Sequence, residues 1–542
     1  MNCQKFASSP PPNTDLADYA SPVAMQLAKL AKQAPLMIAE TIVKHLPEAP
    51  FLGGAEVAKP GFINFRLNEE WLKQQVEAII AEGDDLFTLD IGHGQRAQVE
   101  FVSANPTGPL HIGRTRGAVI GDTTARLLEA VGYDVEREYY FNNAGRQMEM
   151  LGYTLRARYL QALGQDVPLP EEGYAGEYLK DIATDLVDEV GESWQDKDWE
   201  PFKVRAEQVI FEWIKTSLVR LNVKHDVFFN ENSLYEDESV WRTLDALRDG
   251  GNVYEGPVWE GAEEDEKATA QAENTPDATW FRSVKFGDEK DRVIVKATGV
   301  PTYTLPDVAY HANKFDRGFD LMVNILGADH GTQYKTVQRG LKALDYDPAK
   351  LHVVLHQMVR IYRAGELVRG STRAGDLIVV DDVIDEVGAD SVRYFLLARS
   401  ANSDVEFDLD LAVAKNNENP VYYIQNAHVR CAGIFRIAEQ RGFTDEGADL
   451  SLLGEPEMAF LRQVLRMGDM LTYALDELAA HQLAFFALDT ARLFHPLYDQ
   501  VRVFHSEVPE DVARARLRFY RAAKVALNRV LMLMGMSAPD VM

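Results

Sequence analysis

Residues 99–114, Val99-Glu100-Phe101-Val102-Ser103-Ala104-Asn105-Pro106-Thr107-Gly108-Pro109-Leu110-His111-Ile112-Gly113-Arg114, constrain this chain more than any other stretch. An alternating apolar run enters a Pro/Gly-rich turn, and the turn ends in His-x-Gly where a helical pattern starts. Val99 and Phe101 predict one strand face, Gln98 and Glu100 the other. Beyond Gly113, Ile120, Thr124, Leu127, Leu128 and Val131 fall on one helical stripe, and Gly132 ends it. Residues 135–141 read as a second strand. Strand, turn, helix, strand predicts an α/β domain with a parallel sheet and a right-handed crossover. A helix N-terminus carries unpaired N–H groups and partial positive charge, which suits phosphate. Gly113 lets a phosphate approach the backbone, and His111 adds a donor that can follow charge onto a leaving oxygen. Such a site works by positioning and electrostatics rather than by a covalent nucleophile. Alone, the turn reads first as an ordinary strand-to-helix connection, and a bare His-x-Gly is a nucleotide site only about one time in ten.

The 542 residues exceed what one hydrophobic core accommodates, so three or four domains are expected. Cys3 and Cys431, near opposite ends, suggest neither a disulfide framework nor a zinc site and fit a reducing cytoplasm. The polar start leading into Ser8-Ser9-Pro10-Pro11-Pro12 lacks a signal-peptide core, and no apolar run is long enough for a bilayer, so no membrane partner is expected. The net charge of −28 argues against a nucleic-acid partner, but it is unevenly spread. Residues 411–542 hold 14 Lys and Arg against 16 Asp and Glu. Within them Arg514, Arg516, Arg518, Arg521, Lys524 and Arg529 crowd one helical stretch. That run is either a solvated face or a local phosphate-contacting patch.

Residues 18–46 carry a helical pattern that Pro35 divides, with Ile38, Ile42 and Leu46 on the second stripe. Residues 61–67 alternate as a strand, and a helix follows at about 69–82. Residues 1–92 thus form a small α+β unit. Residues 93–404 form the α/β domain, interrupted at about 146–290 by a mostly helical insertion. Glu263-Glu264-Asp265-Glu266 reads as a charged loop, and sheet pattern returns at 292–298. The runs 321–326 and 351–355 suit buried strands. Residues 405–542 read as continuous helix.

Across more than twenty positions the first segment resembles the class I signature of arginyl-tRNA synthetases. Glu100, Asn105, Pro106, Gly108, Pro109, His111 and Gly113 fall together, followed by Arg116-Gly117 and Gly121-Asp122. Asp18-Tyr19-Ala20-Ser21-Pro22-Val23-Ala24 and Pro60-Gly61-Phe62-Ile63-Asn64-Phe65 resemble that family's N-terminal domain, which grips the outer corner of the tRNA. Asn419-Pro420-Val421-Tyr422-Tyr423-Ile424-Gln425 resembles the start of its helical anticodon-binding domain, and Met542 a chain end common in the family. Gly173-Tyr174-Ala175-Gly176-Glu177-Tyr178 resembles a recurrent stretch of its insertion, without a role to attach.

The resemblance implies a Rossmann-type class I catalytic domain with a helical insertion, a small α+β N-terminal domain and an all-α anticodon-binding domain. It implies L-arginine, ATP with Mg2+ and an arginine-accepting tRNA as partners, no protein-bound metal, and a monomer. It assigns catalysis to His111, Arg114, Arg369 and Arg373, and ATP binding to His111, Gly113, Arg114, Met358, Ser371 and Thr372. Arginine falls to Glu100, Asn105, Tyr303, Asp307 and Gln333. Asp307 and Tyr303 are read as guanidinium ligands, because a planar fixed cation is best held by carboxylates. Asn105 and Gln333 are read at the α-ammonium end, and Glu100 at either. Arg514, Arg518 and Arg521 are read as tRNA contacts. The ordinary readings stand beside these: Tyr303 and Asp307 as an i,i+4 surface pair or a helix cap, Gln333 on a solvent face, Met358 in the core.

The chain also departs from the pattern. Arg114 stands where the signature usually has a second histidine, so phosphate contact can survive but proton transfer cannot. Arg369-Gly370-Ser371-Thr372-Arg373-Ala374-Gly375-Asp376 resembles the second class I signature without its lysines; alone it reads as a glycine-rich hairpin. Asn143 replaces a usual aspartate, and the lead before Asp18 is shorter than the family's. An arginine–tRNA ligase is the reading these residues support. The alternative is a tRNA-binding relative with lost or weakened activation.

Overall fold

A computed structural model describes residues 17–368 and 378–542. Cys3 and the expected Arg369, Ser371, Thr372 and Arg373 lie outside the described residues. The described residues begin with β1 (Tyr19–Ser21), α1 (Val23–Ala31), α2 (Pro35–Lys44), β2 (Leu52–Ala58) and β3 (Phe62–Leu67), and the strands pair antiparallel in the order β1-β3-β2. Ala24, Ile38 and Ala39 pack with Ile63. Pro35 opens α2, where its missing N–H costs nothing. Helix therefore starts at Val23 rather than at Asp18, because Tyr19–Ser21 is drawn into the sheet by Ile63, Asn64 and Phe65. Asn68 then caps α3 (Glu69–Glu82), its carboxamide oxygen accepting from the Trp71 N–H at 2.9 Å.

Next come β4 (Arg96–Glu100), α4 (Ile112–Ala130) and β5 (Asp134–Phe141), the expected parallel crossover. Helices α5 (Arg146–Ala162), α6 (Tyr178–Val190) and α7 (Trp199–Arg220) lead to β6 (Val227–Asn230), α8 (Ser233–Glu236) and α9 (Ser239–Asp249). The mostly helical insertion expected at about 146–290 also carries strands. β6 pairs parallel with β5 and so belongs to the central sheet. After it, β7 (Val253–Gly256), α10 (Glu264–Ala272), β8 (Ala278–Phe281) and β9 (Arg292–Val295) follow, with the three strands in a separate antiparallel sheet. The acidic run expected as a loop starts α10, where Glu264, Asp265 and Glu266 complement the helix dipole. The strand expected at 292–298 is β9, shorter and outside the central sheet.

The central sheet is completed by β10 (Leu321–Gly327) and β11 (Leu351–His356), preceded by α11 (Thr304–Asp316) and separated by α12 (Gly331–Ala343). Its order is β11-β10-β4-β5-β6, and every pairing is parallel. β4 lies in the middle and is buried on both faces, so Gln98 and Glu100 are as enclosed as Val99. Gln98 Nε2 donates to Glu138 at 2.7 Å while its Oε1 has no partner among the described residues, and Lys314 Nζ meets Glu100 at 2.6 Å.

β12 (Val359–Arg363), β13 (Glu366–Leu367), α13 (Val380–Val387), α14 (Ala389–Leu397), β14 (Val405–Asp408) and α15 (Leu409–Val413) follow. β14 pairs parallel with β12, so the continuous helical region begins after it rather than at residue 405. That region is α16 (Pro420–Gln440), α17 (Glu455–Leu465), α18 (Met467–Asp476), α19 (Gln482–Gln500) and α20 (Glu510–Leu533). Buried Arg393 joins it to the layers around the central sheet, donating to Met534 O at 2.7 Å, Leu221 O at 2.8 Å and Asp122 Oδ2 at 2.6 Å. Among the described residues no helix is long and apolar enough to cross a membrane.

Candidate active site

The carboxyl ends of β4, β5, β6, β10 and β11 open into one cleft of about 1560 Å³. Glu100, Tyr140, Glu231, Gly327 and His356 reach its wall from those strand ends, the usual place for a ligand in an open parallel sheet. His111, Gly113, Arg114, Asn105, Tyr303, Asp307, Gln333 and Met358 line the same cleft.

His111 precedes α4 in extended conformation. The strand-like segment 378–380 holds it: His111 bridges Val379, Ile112 N–H donates to Ile378 O at 3.0 Å, and Val380 N–H donates to Leu110 O at 2.9 Å. The imidazole folds over the helix start, so a Cβ at Gly113 would lie 3.2 Å from its Nδ1. Glycine is therefore needed there for the histidine as well as for any phosphate. Burial, with the charge of Arg114 adding to it, pushes His111 down to about 4. The ring is neutral near pH 7 and acts as a hydrogen-bonding group, not as a cation. Arg114 is exposed and has no hydrogen-bond or ion-pair partner for its guanidinium among the described residues.

Sequence reasoning gave Arg116 no role, yet it sets this end of the cleft. Its fully buried guanidinium donates to Gln357 O at 2.8 Å, Ser403 O at 2.7 Å and Ser400 O at 2.8 Å. It thereby ties the β11–β12 junction to α4. That junction carries Met358, which is 67% exposed and faces the cleft rather than packing in the core.

At the other end, Asp307 sits in the first turn of α11 and accepts from Gln333 Nε2. Gln333 thus stands beside Asp307, where the sequence reading had grouped it with Asn105. Asn105 instead donates to Gln147 Oε1 at 3.0 Å and accepts from the Asn142 N–H at 3.0 Å. Tyr303 precedes α11 and is 80% exposed. Glu231, not anticipated from sequence, follows β6 and accepts from Tyr140 Oη at 2.6 Å and Asn142 Nδ2 at 2.9 Å. Its only signal is its place after a short aromatic strand, which carries no chemistry until β6 joins the sheet.

The three carboxylates differ. For Glu100, burial is outweighed by Lys314, His311 and the bonds from Lys314 and Ser103, which hold it below the usual carboxylate range. Its charge is already matched. Asp307 has no such partner among the described residues: desolvation, reinforced by Glu231 and Glu100, pushes it up to about 7 against the Gln333 bond. Burial also raises Glu231. Burial thus holds both Asp307 and Glu231 above the usual carboxylate range, and both line the same cleft.

Three family models match: "Arginyl tRNA synthetase N terminal domain" at residues 4–67, "tRNA synthetases class I (R), catalytic domain" at 75–403, and "DALR anticodon binding domain" at 424–542. The arginine–tRNA ligase of Heliobacterium modesticaldum is 40% identical, covering 99% of this chain and 94% of its own. That of Moorella thermoacetica is 42% identical over the same shares. The chain belongs to the arginyl-tRNA synthetase family. Arginyl-tRNA synthetase from Thermus thermophilus superimposes with a TM-score of 0.77 at 20% identity, covering 99% of this chain and 96% of that one, a likeness of fold.

One departure of this synthetase from the family pattern now has surroundings. Asn143 Nδ2 donates to Glu207 Oε1 at 2.7 Å, and its Oδ1 accepts from Asn230 at 3.1 Å and Asn232 at 2.6 Å. An aspartate there would face Glu207 with a second negative charge, so the amide suits its neighbours. The arginines of α20 are not free cations. Arg518 pairs with Glu77 of α3 and with Asp445, Arg521 with Asp445, and Arg514 with Glu510. Nearby carboxylates thus engage Arg514, Arg518 and Arg521, the three arginines read from the sequence as tRNA contacts, in the chain without tRNA. Replacing both Arg518 and Arg521 by glutamate would set new anions against Glu77 and Asp445. The double variant is expected to melt about 2–4 °C lower. The salt slope of its tRNA binding should stay that of the parent; a flattened slope would return these side chains to the phosphates.

Proposed function

We infer that the chain is an arginine–tRNA ligase. In the first step the arginine carboxylate oxygen bonds to the α-phosphorus of ATP while the bond to pyrophosphate breaks, giving arginyl-adenylate. In the second, a hydroxyl of the terminal ribose of the tRNA attacks the arginyl carbonyl and AMP leaves. Magnesium enters with the ATP as part of the substrate. Asp307, with Glu231, Tyr303 and Gln333 around it, takes the guanidinium; Asn105 takes the α-ammonium end. His111 and the start of α4 meet the charge that builds on the departing pyrophosphate, with Arg114 adding a fixed positive charge. Met358 and Gly113 border the nucleotide. Arg369, Ser371, Thr372 and Arg373 are assigned to the triphosphate from the sequence resemblance alone.

One observation carries this reading: the same cleft holds two carboxylates raised by burial and a neutral histidine at a helix N-terminus. Aminoacylation of total tRNA with each amino acid in turn tests it, and arginine alone is expected to be charged. The alternative, a tRNA binder with weakened activation, is favoured by Arg114 at its unusual position together with the lysine-poor second loop. ATP–pyrophosphate exchange with arginine, run with tRNA present, separates the two; no exchange beside intact tRNA binding would select the alternative.

The charge state of Asp307 sets a pH dependence. A guanidinium binds the ionised carboxylate, and Asp307 in the empty cleft titrates at about 7. Arginine binding should therefore strengthen about ten-fold per pH unit as pH rises toward 7, and level off above it. Calorimetry at about pH 6 in buffers of different ionisation enthalpy should show proton release, and Asp307→Asn should abolish it.

A further inference from the structure

Residues 172–178, which lead into the first residue of α6, have no part in the chemistry above, yet they rest on the turn that delivers Asn105. Tyr178 Oη donates to Thr107 O at 2.6 Å, and its hydroxyl lies 3.4 Å from where a Cβ of Gly108 would stand. Trp213 of α7 meets the Tyr178 ring edge-on at 6.4 Å. A Cβ at Gly176 would overlap that ring, and one at Gly173 would sit 2.8 Å from Thr154 Oγ1, so both glycines are needed for the segment to lie this close. Tyr174 N–H donates to the same Thr154 hydroxyl at 3.2 Å, anchoring the segment to α5. At its start Glu172 pairs with Arg146 at 2.7 Å, beside Gln147, the acceptor for Asn105.

The turn needs outside support. Val102 and Ser103 leave β4 with φ of 72° and 40°, a left-handed conformation that a β-branched valine adopts only under constraint. Beyond them the chain runs through Pro106 and Pro109 with little regular structure, and its local bond is Thr107 N–H to Asn105 O at 2.8 Å. The Tyr178 bond falls on the carbonyl of that same Thr107.

We propose that residues 172–178 are a strap that fixes the 105–110 turn, with Tyr178 as a positioning residue for arginine binding through Asn105. This rests on the reading of Asn105 as an arginine contact. Tyr178→Phe removes one oxygen and keeps the ring. It should raise the KM for arginine about five-fold, the worth of one hydrogen bond, with kcat and the melting temperature unchanged. In an Asn105→Ala background the same change should add nothing, since a positioning residue has no effect once the group it positions is gone. Amide exchange over residues 105–111 should rise in Tyr178→Phe, a measurement independent of substrate. If Asn105→Ala raises the KM but Tyr178→Phe does not, or if the two effects simply add, the strap is overturned and the arginine site stands. If Asn105→Ala itself leaves the KM unchanged, the reading of Asn105 fails and takes the strap with it. Unchanged exchange over the turn also overturns the strap.

Discussion

Asp307→Ala is expected to lower kcat/KM for arginine by about a hundred- to a thousand-fold. Removing one partner of a buried ion pair costs about 3–5 kcal/mol, because the remaining charge is left in a desolvated place without its counter-charge. Here the guanidinium would be the orphan. Glu100 cannot take over, since Lys314 and Ser103 already occupy its carboxylate. Glu231 is held by Tyr140 and Asn142, so it supplies negative charge but not the lost geometry. The fold should persist, because Asp307 lies on the cleft wall and bonds outward to exposed Gln333 rather than into the core. An unchanged kcat/KM, in a variant that melts as the parent does, would remove Asp307 from the site.

His111→Ala should lower kcat about 10²–10³-fold with a smaller effect on KM, as expected when a donor aimed at developing charge is lost. Pyrophosphate exchange measured with tRNA present reads this step directly. The parent enzyme should show no His111 limb in kcat between about pH 5.5 and 8, because the ring titrates at about 4. A kcat limb near pH 6.5 that vanishes in His111→Ala would contradict the buried, neutral ring. The same burial bears on stability. His111, His225 and His311 are each pushed from 6.5 to about 4, desolvation being the largest cause in every case. Between those values the unfolded chain binds the extra protons, so stability falls as pH drops from 6.5 toward 4 and is fully present above that window. Asp307 works in the opposite sense, since its raised value makes the folded state the proton binder between 3.8 and about 7.

Much of the cleft's nucleotide side is readable as sequence because its parts are neighbours in the chain. The strand, the Pro/Gly turn, His111 and Gly113 follow one another, and a helix N-terminus has the same electrostatics wherever it is placed. Tyr303 and Asp307 likewise share one turn of α11. The wall that faces a cation is different. Glu231 reaches it only because the four residues of β6 pair with β5, and a run that short carries no period that separates it from the helices around it.

What the sequence by itself determined is the local geometry: which segments form helix, where proline and glycine end them, and which side chain meets a helix start. Only the tertiary structure decided which charges are available. Glu100 and Asp307 are both acids in sequence, yet Lys314 neutralises one and leaves the other waiting for a ligand. Arg114 and Arg518 are both arginines, yet one stands free among the described residues while Glu77 and Asp445 engage the other. The reason is physical. A side chain's ionisation and reach depend on desolvation and on partners a few ångströms away, and those partners come from segments that only folding brings together.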